Sequence, residues 1–162
     1  MSHVVISEVF ITVAAVVIIS IFTATFLGNI QQLRDMQTMV TKSIEEKMSI
    51  DIKIIFATGV ENESIVKVWV KNIGIGSISY DLIGKGDLFF GKVGNFSYIS
   101  YNSSITPTWN FTILNDVDGD NRWDLGETIL ITIYLDSPLE RGDYYIRYVT
   151  YTGEYDEYQF SI

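Results

Sequence analysis

Two hydrophobic periodicities divide the chain. From Val9 to Leu27 nineteen residues, VFITVAAVVIISIFTATFL, run without a charge, proline or glycine. At 1.5 Å per residue they make about 28 Å of apolar helix, the thickness of a hydrocarbon core. Only Thr12, Ser20, Thr23 and Thr25 interrupt the run, so the polar side of an ordinary core helix is missing. A cleaved secretory signal is disfavoured by the lack of a basic leading region and of an A-x-A site. Beyond it, Ile30, Leu33, Met36, Val40, Ile44 and Met48 recur at spacings of three and four. Around them stand Gln31, Gln32, Arg34, Asp35, Lys42, Glu45, Glu46 and Lys47. This predicts one apolar stripe on an otherwise solvated helix. A rod of roughly 45 residues, about 65 to 70 Å long, exceeds an ordinary globular helix and needs neighbours along it.

From about Ile50 the pattern alternates and turn residues interrupt it regularly, which reads as strands. The clearest runs are Ile50 to Phe56, Ser64 to Asn72, Thr108 to Leu114, Thr128 to Leu135 and Tyr144 to Tyr151; shorter ones are Asp87 to Phe90, Phe96 to Tyr101 and Glu157 to Ile162. In SIVKVWV, Ile65, Lys67 and Trp69 share one face and Val66, Val68 and Val70 the other, giving the sheet an aliphatic side for a core. No second helical pattern is visible. The expectation is a long N-terminal α-helix over residues 1–49, transmembrane in its first part, followed by an all-β antiparallel sandwich over residues 50–162.

Composition removes most chemistry. The chain has no cysteine, and its one histidine is His3, so neither a Ser-His or Cys-His constellation nor a thiolate or histidine metal site can be built. A net charge of −9 opposes binding to phosphate backbones, so no nucleic-acid partner is expected.

Between two predicted strands lies DVDGDNRWDLGE, with carboxylates at positions 1, 3, 5, 9 and 12: Asp116, Asp118, Asp120, Asp124 and Glu127. The backbone carbonyl of Arg122 falls at position 7, completing the oxygen spacing of a Ca²⁺ loop. Position 6, normally glycine for its left-handed turn, is Asn121, the next most tolerant residue. The flanks read as strands, so a structural Ca²⁺ loop is expected without a helix-loop-helix fold. A solvated acidic turn is the alternative.

Four Asn-X-Ser/Thr sequons, at Asn62, Asn95, Asn102 and Asn110, predict an extracytoplasmic, glycosylated β-domain. Arg34, Lys42 and Lys47 follow the apolar run with no Lys or Arg before it, a bias that opposes this topology. The sequons and the acidic domain outweigh it, because folded domains translocate despite a few flanking charges. Most strand-borne aromatics are expected in packing. In YYIRYVTY, however, Tyr145, Arg147 and Tyr151 share one side with Val149 and are candidate partner contacts.

The start ISEVFITVAAVVIISIFTATF, its amphipathic continuation, the strand VKVWVKNIGIGSI and the acidic loop before ILITIYL together resemble the archaeal flagellin-like, type IV pilin-like proteins. Among these the likeness is to the archaellum accessory proteins called F and G, and it leans to G. The resemblance covers essentially the whole chain. It implies a single-pass helix in the archaeal cytoplasmic membrane and a β-sandwich in the extracytoplasmic space near the surface layer. It further implies a role in the stator that steadies a rotating filament. Expected partners are the membrane, copies of itself joined through the helix, another archaellum accessory protein and a surface-layer protein. The residues expected to make the helix assembly are Glu8, Val9, Phe10, Val13, Val16, Val17, Ile21 and Leu27. Glu8 either sits among headgroups or meets a neighbour's terminal amine to fix register.

MSHVVISE lacks the Lys or Arg followed by Gly that marks processed pilin precursors, so an unprocessed accessory subunit is expected. A filament or adhesion pilin is the alternative. A membrane enzyme using the acidic loop is disfavoured because no nucleophile accompanies it.

Overall fold

The computed structural model describes the backbone of residues 2–162 and the side chains of all of these except residues 2–7, 43 and 46–48. His3, Glu46, Lys47 and Met48 therefore lie outside the described side chains. The chain divides into two compact units, Met1–Ile44 and Glu45–Ile162.

The first unit is one helix. α1 runs unbroken through Ser2–Ser49, 48 residues, or about 72 Å. No proline interrupts it, and Gly28 faces open space, with nothing within 4 Å of the point where a Cβ would stand. The hydroxyls of the apolar run are internally satisfied: Thr12 donates to the Glu8 carbonyl at 2.7 Å, Ser20 to Val16 at 2.7 Å, Thr23 to Ile19 at 2.8 Å and Thr25 to Ile21 at 2.9 Å. These bonds remove the desolvation cost that free hydroxyls would incur in lipid. Between Glu8 and Lys42 the helix is long and apolar enough to cross a membrane.

In the second unit alternation becomes two layers. The strands are β1 (Ile52–Gly59), β2 (Ile65–Asn72), β3 (Ile78–Ser79), β4 (Asp87–Lys92), β5 (Asn95–Tyr101), β6 (Thr108–Ile113), β7 (Arg122–Trp123), β8 (Thr128–Tyr134), β9 (Asp143–Val149) and β10 (Tyr155–Ser161), with a short helix α2 (Tyr80–Ile83) after β3. Eight strands pair in the order β1-β2-β8-β6-β5-β4-β9-β10, and β3 pairs with β7 separately. Val66, Val68 and Val70 point inward and are fully buried, as are Ile129, Ile131, Ile133 and Ile146, with Trp109, Trp123 and Tyr148 filling the space between layers. Tyr148 donates its hydroxyl to the Ile83 carbonyl at 2.8 Å, and burial pushes that phenol far above its ordinary value.

The halves close towards a barrel in unlike ways. At the β1–β10 seam Asp156 accepts the Ile54 amide at 2.7 Å and pairs with Lys53 at 2.9 Å. At the other seam β5 meets β6 through only Ser100 with Thr108 and Tyr101 with Trp109. That pairing is parallel, so the sandwich is mostly and not wholly antiparallel; α2 and the β3–β7 ladder are further additions to the predicted elements. A register shift between Ile54 and Phe56 is a β-bulge, and it puts both Ile55 and Phe56 on the exposed side before Ala57 returns to the core.

Asn72 is the polar keystone of one end of this unit. It is fully buried; its Nδ2 donates to the carbonyls of Gly76 and Trp123, each at 2.8 Å, and its Oδ1 accepts the Gly74 amide at 3.0 Å. Asn72→Ala strands three backbone groups in the interior, so it is expected to lower unfolding stability by about 2 to 4 kcal/mol, read as a lower denaturant midpoint at unchanged slope.

Candidate functional site

The acidic loop links β6 to β8 across the end that Asn72 holds. Gly126 donates to the Asn72 carbonyl at 2.8 Å, and the Glu127 carbonyl accepts both the Asn72 amide at 2.9 Å and the Trp123 indole at 3.0 Å. Trp123 is fully buried, so it anchors the loop to the core while β7 pairs with β3. Arg122 reaches Ser77, donating from Nε to the hydroxyl at 2.6 Å.

Within this frame Asp116 organises the turn. Its carboxylate accepts the amides of Gly119 at 2.8 Å, Asp120 at 3.2 Å and Asn121 at 3.0 Å. Asn121 takes φ +58°, the left-handed turn expected at position 6, and Gly119 takes +74°. The loop brings one oxygen from each of Asp116, Asp118 and Asp120 within 4.8 Å of one another. Such a cluster of hard oxygens has the donor chemistry of a Ca²⁺ site. Asp120 loses solvent and feels the charges of Asp118, Asp124 and Asp116, which together hold its carboxyl above its ordinary value against the opposing Arg122 amide.

The loop does not bring all six predicted ligands together. Glu127 is buried, and its two oxygens accept the amides of Val117 at 2.9 Å and Asp124 at 3.0 Å. Its carboxylate therefore braces the loop from inside, and Asp124 stands outside the three-carboxylate cluster. Nothing in the 1-3-5-9-12 spacing signals that role; the signal available was Trp123, whose burial draws the chain back toward Glu127.

Elsewhere, Asn62, Asn95, Asn102 and Asn110 are all exposed. Asn62 and Asn102 have positive φ, 68° and 44°, and both lie in turns. Among the strand aromatics, Tyr145 departs from the outward set: it is buried, its ring 4.6 Å from Phe96 and its hydroxyl donating to Glu157 at 2.7 Å. The reason is Gly91, which pairs with both Phe96 and Tyr145 in the ladders, so the two rings meet across its missing side chain. Arg147 is half exposed, pairs with Glu157 at 2.7 Å and lies 4.9 Å from the centre of Tyr155. Tyr151 is exposed. Hydrogen bonds from Arg147 and then Tyr145 hold the Glu157 carboxyl below its ordinary value. The helix residues Val9, Phe10, Val13, Val16, Val17, Ile21 and Leu27 are each at least half exposed within one chain, and Glu8 is exposed with them.

The archaeal-type flagellin family model matches residues 2–160, and the chain belongs to that family. A protein of Archaeoglobus fulgidus is 32% identical over 157 residues, covering 94% of both chains. The archaellum periplasmic stator protein FlaG from Sulfolobus acidocaldarius is similar in structure, with a TM-score of 0.59 and 30% identity over 68% of this chain and 99% of that one. A chain from the FlaF and FlaG stator complex of the same organism gives 0.58 and 31%, over 68% of this chain and 88% of that one. The family and the two Sulfolobus chains are archaellum structural and stator proteins and not enzymes, in agreement with the resemblance read from the N-terminal run and the acidic loop.

The carboxylates of the loop have separable roles that the melting temperature in chelator can distinguish. Asp116→Ala removes the acceptor of three amides and is expected to cost about 1 to 2 kcal/mol. Asp120→Asn keeps an acceptor for the Arg122 amide but removes a charge whose folded-state pKa is raised. A raised carboxyl disfavours the fold above its unfolded pKa, so this variant should melt slightly higher than the parent near neutral pH. The difference should vanish as pH falls below the carboxylate range.

Proposed function

We propose that the protein is an archaellum accessory subunit of the stator type, anchored in the cytoplasmic membrane by α1. The carrying observation is the combination of a helix long and apolar enough between Glu8 and Lys42 to cross a membrane with a β-domain similar to periplasmic stator proteins. The apolar run would lie in lipid, and the stripe from Ile30 to Ile44 would pack on copies of itself, with Glu8, Val9, Phe10, Val13, Val16, Val17, Ile21 and Leu27 at the assembly face. The β-domain would stand in the extracytoplasmic space, glycosylated at Asn62, Asn95, Asn102 and Asn110. A sister accessory protein and a surface-layer protein are its partners, with Arg147 and Tyr151 as contacts. The family match to archaeal-type flagellin favours, as a second reading, a subunit of a pilin-like filament.

The same proposal gives the acidic loop a structural Ca²⁺ held by Asp116, Asp118 and Asp120, with the Arg122 carbonyl and Asp124 drawn in on binding. The support is the three converging carboxylates and their mutual repulsion at Asp120. Glu127 keeps its bracing role.

Expressed in an archaeal host, the full-length protein should remain with membranes through a high-salt wash, leave them in detergent, and co-purify with the sister accessory subunit. Arg147→Glu should remove the sister subunit and leave membrane retention intact. A protein released by salt alone would refute the anchor. Adding Ca²⁺ to chelator-treated protein should raise the melting temperature by several degrees, and Asp118→Asn with Asp120→Asn should abolish the rise. No response in the parent would make the loop only a turn.

A further inference from the structure

Charge is segregated on the β-domain. From residue 50 onward there are 16 acidic and 8 basic side chains. The outer face of the β1-β2-β8-β6 layer nevertheless carries lysines and no carboxylate of its own. Lys53, Lys67 and Lys71 alternate outward on β1 and β2, while the outward positions of β6 and β8 are Thr108, Asn110, Thr112, Thr128, Leu130, Thr132 and Tyr134. Lys53 is engaged by Asp156 from the neighbouring edge. Among the described residues no ion pair involves Lys67 or Lys71. Between the lysines lies apolar surface: Phe56 is 51% exposed and rests 5.4 Å from Trp69, and Ile55 and Ile65 are exposed beside them.

The acidic loop is the chemical complement of that face. Its exposed carboxylates Asp118 and Asp120 follow Val117, 85% exposed, with Leu125, 59% exposed, further along the same loop. Two apolar side chains thus open to water on the loop that carries these carboxylates. They match a basic face with an aromatic centre in both sign and polarity.

We infer that the acidic loop of one copy docks on the β1–β2 face of a second copy, Val117 and Leu125 against Phe56 and Trp69, with the aspartates facing Lys67 and Lys71. The two surfaces are different parts of the same domain, so the contact is heterologous. It leaves a free loop at one end and a free face at the other, and propagates as a ring or an open string of β-domains. Because the domain is acidic as a whole, the contact is weak for free domains and gains strength when helices hold copies side by side. It does not depend on the loop being a calcium site; a bound cation would weaken it by neutralising the aspartates.

The absence of cysteine permits a direct test on the full-length protein in detergent with chelator. Lys67→Cys and Leu125→Cys proteins are treated with a short bis-maleimide, each alone and mixed. The mixture should give several-fold more cross-linked dimer than either protein alone, and Lys71→Glu added to the first should reduce the yield at least threefold. Asp118→Lys with Asp120→Lys on the second should restore it. All exchanged positions are at the surface, and unchanged melting curves confirm folding. Equal yields in the mixture and in the single proteins overturn the contact, as does indifference to Lys71→Glu. A helix-assembled protein that shows neither effect would refute this contact alone and leave the stator reading standing.

Discussion

The structure turns on the apolar surface of one long helix. From Val9 to Leu27 the side chains of α1 are exposed, and at about 25 cal/mol per Å² the cost of leaving such a helix in water would exceed the net stability of an ordinary domain. Lipid or the apolar sides of other helices would relieve that cost, which is the setting the proposed anchor supplies. Its satisfied hydroxyls fit both surroundings, since each returns to the carbonyl a turn earlier and none needs water.

The β-domain answers the opposite constraint, since it must be stable in water with no disulfide and no metal-thiolate staple. Its core is a close-packed layer of aliphatic strands closed by three large aromatics. Asn72 and Glu127 show how polar groups enter that interior. Each is buried, and each commits its side-chain atoms to backbone groups that two adjoining loops would otherwise leave stranded.

The helix and the eight main strands were legible because periodicity reports directly on which side of an element faces apolar surroundings. SIVKVWV sorted its valines inward for that reason. What escaped depends on contacts distant in sequence. The β3–β7 ladder is two residues long and carries no period, and the parallel β5–β6 contact follows from where a loop returns and not from either strand. Tyr145 alternated as an outward residue and is buried because Phe96 crosses the gap at Gly91, a relation set by register. The acidic loop was legible as a cluster and as a left-handed turn at Asn121. Its division of labour was not, because spacing cannot show which carboxylate turns back to its own backbone, as Glu127 and Asp116 do.

The bracing by polar groups continues to the start of the domain. Ser49, the last residue of α1, accepts the Gly76 amide at 2.8 Å, and Asp51 accepts those of Ile73 and Gly74. The 73–76 loop is tied in turn to Asn72, and Asn72 to Trp123 and Glu127 of the acidic loop. The β-domain thus begins at a hydrogen-bonded block that includes both loops. Densely cross-braced loops of the domain stand where the chain leaves α1 and begins β1.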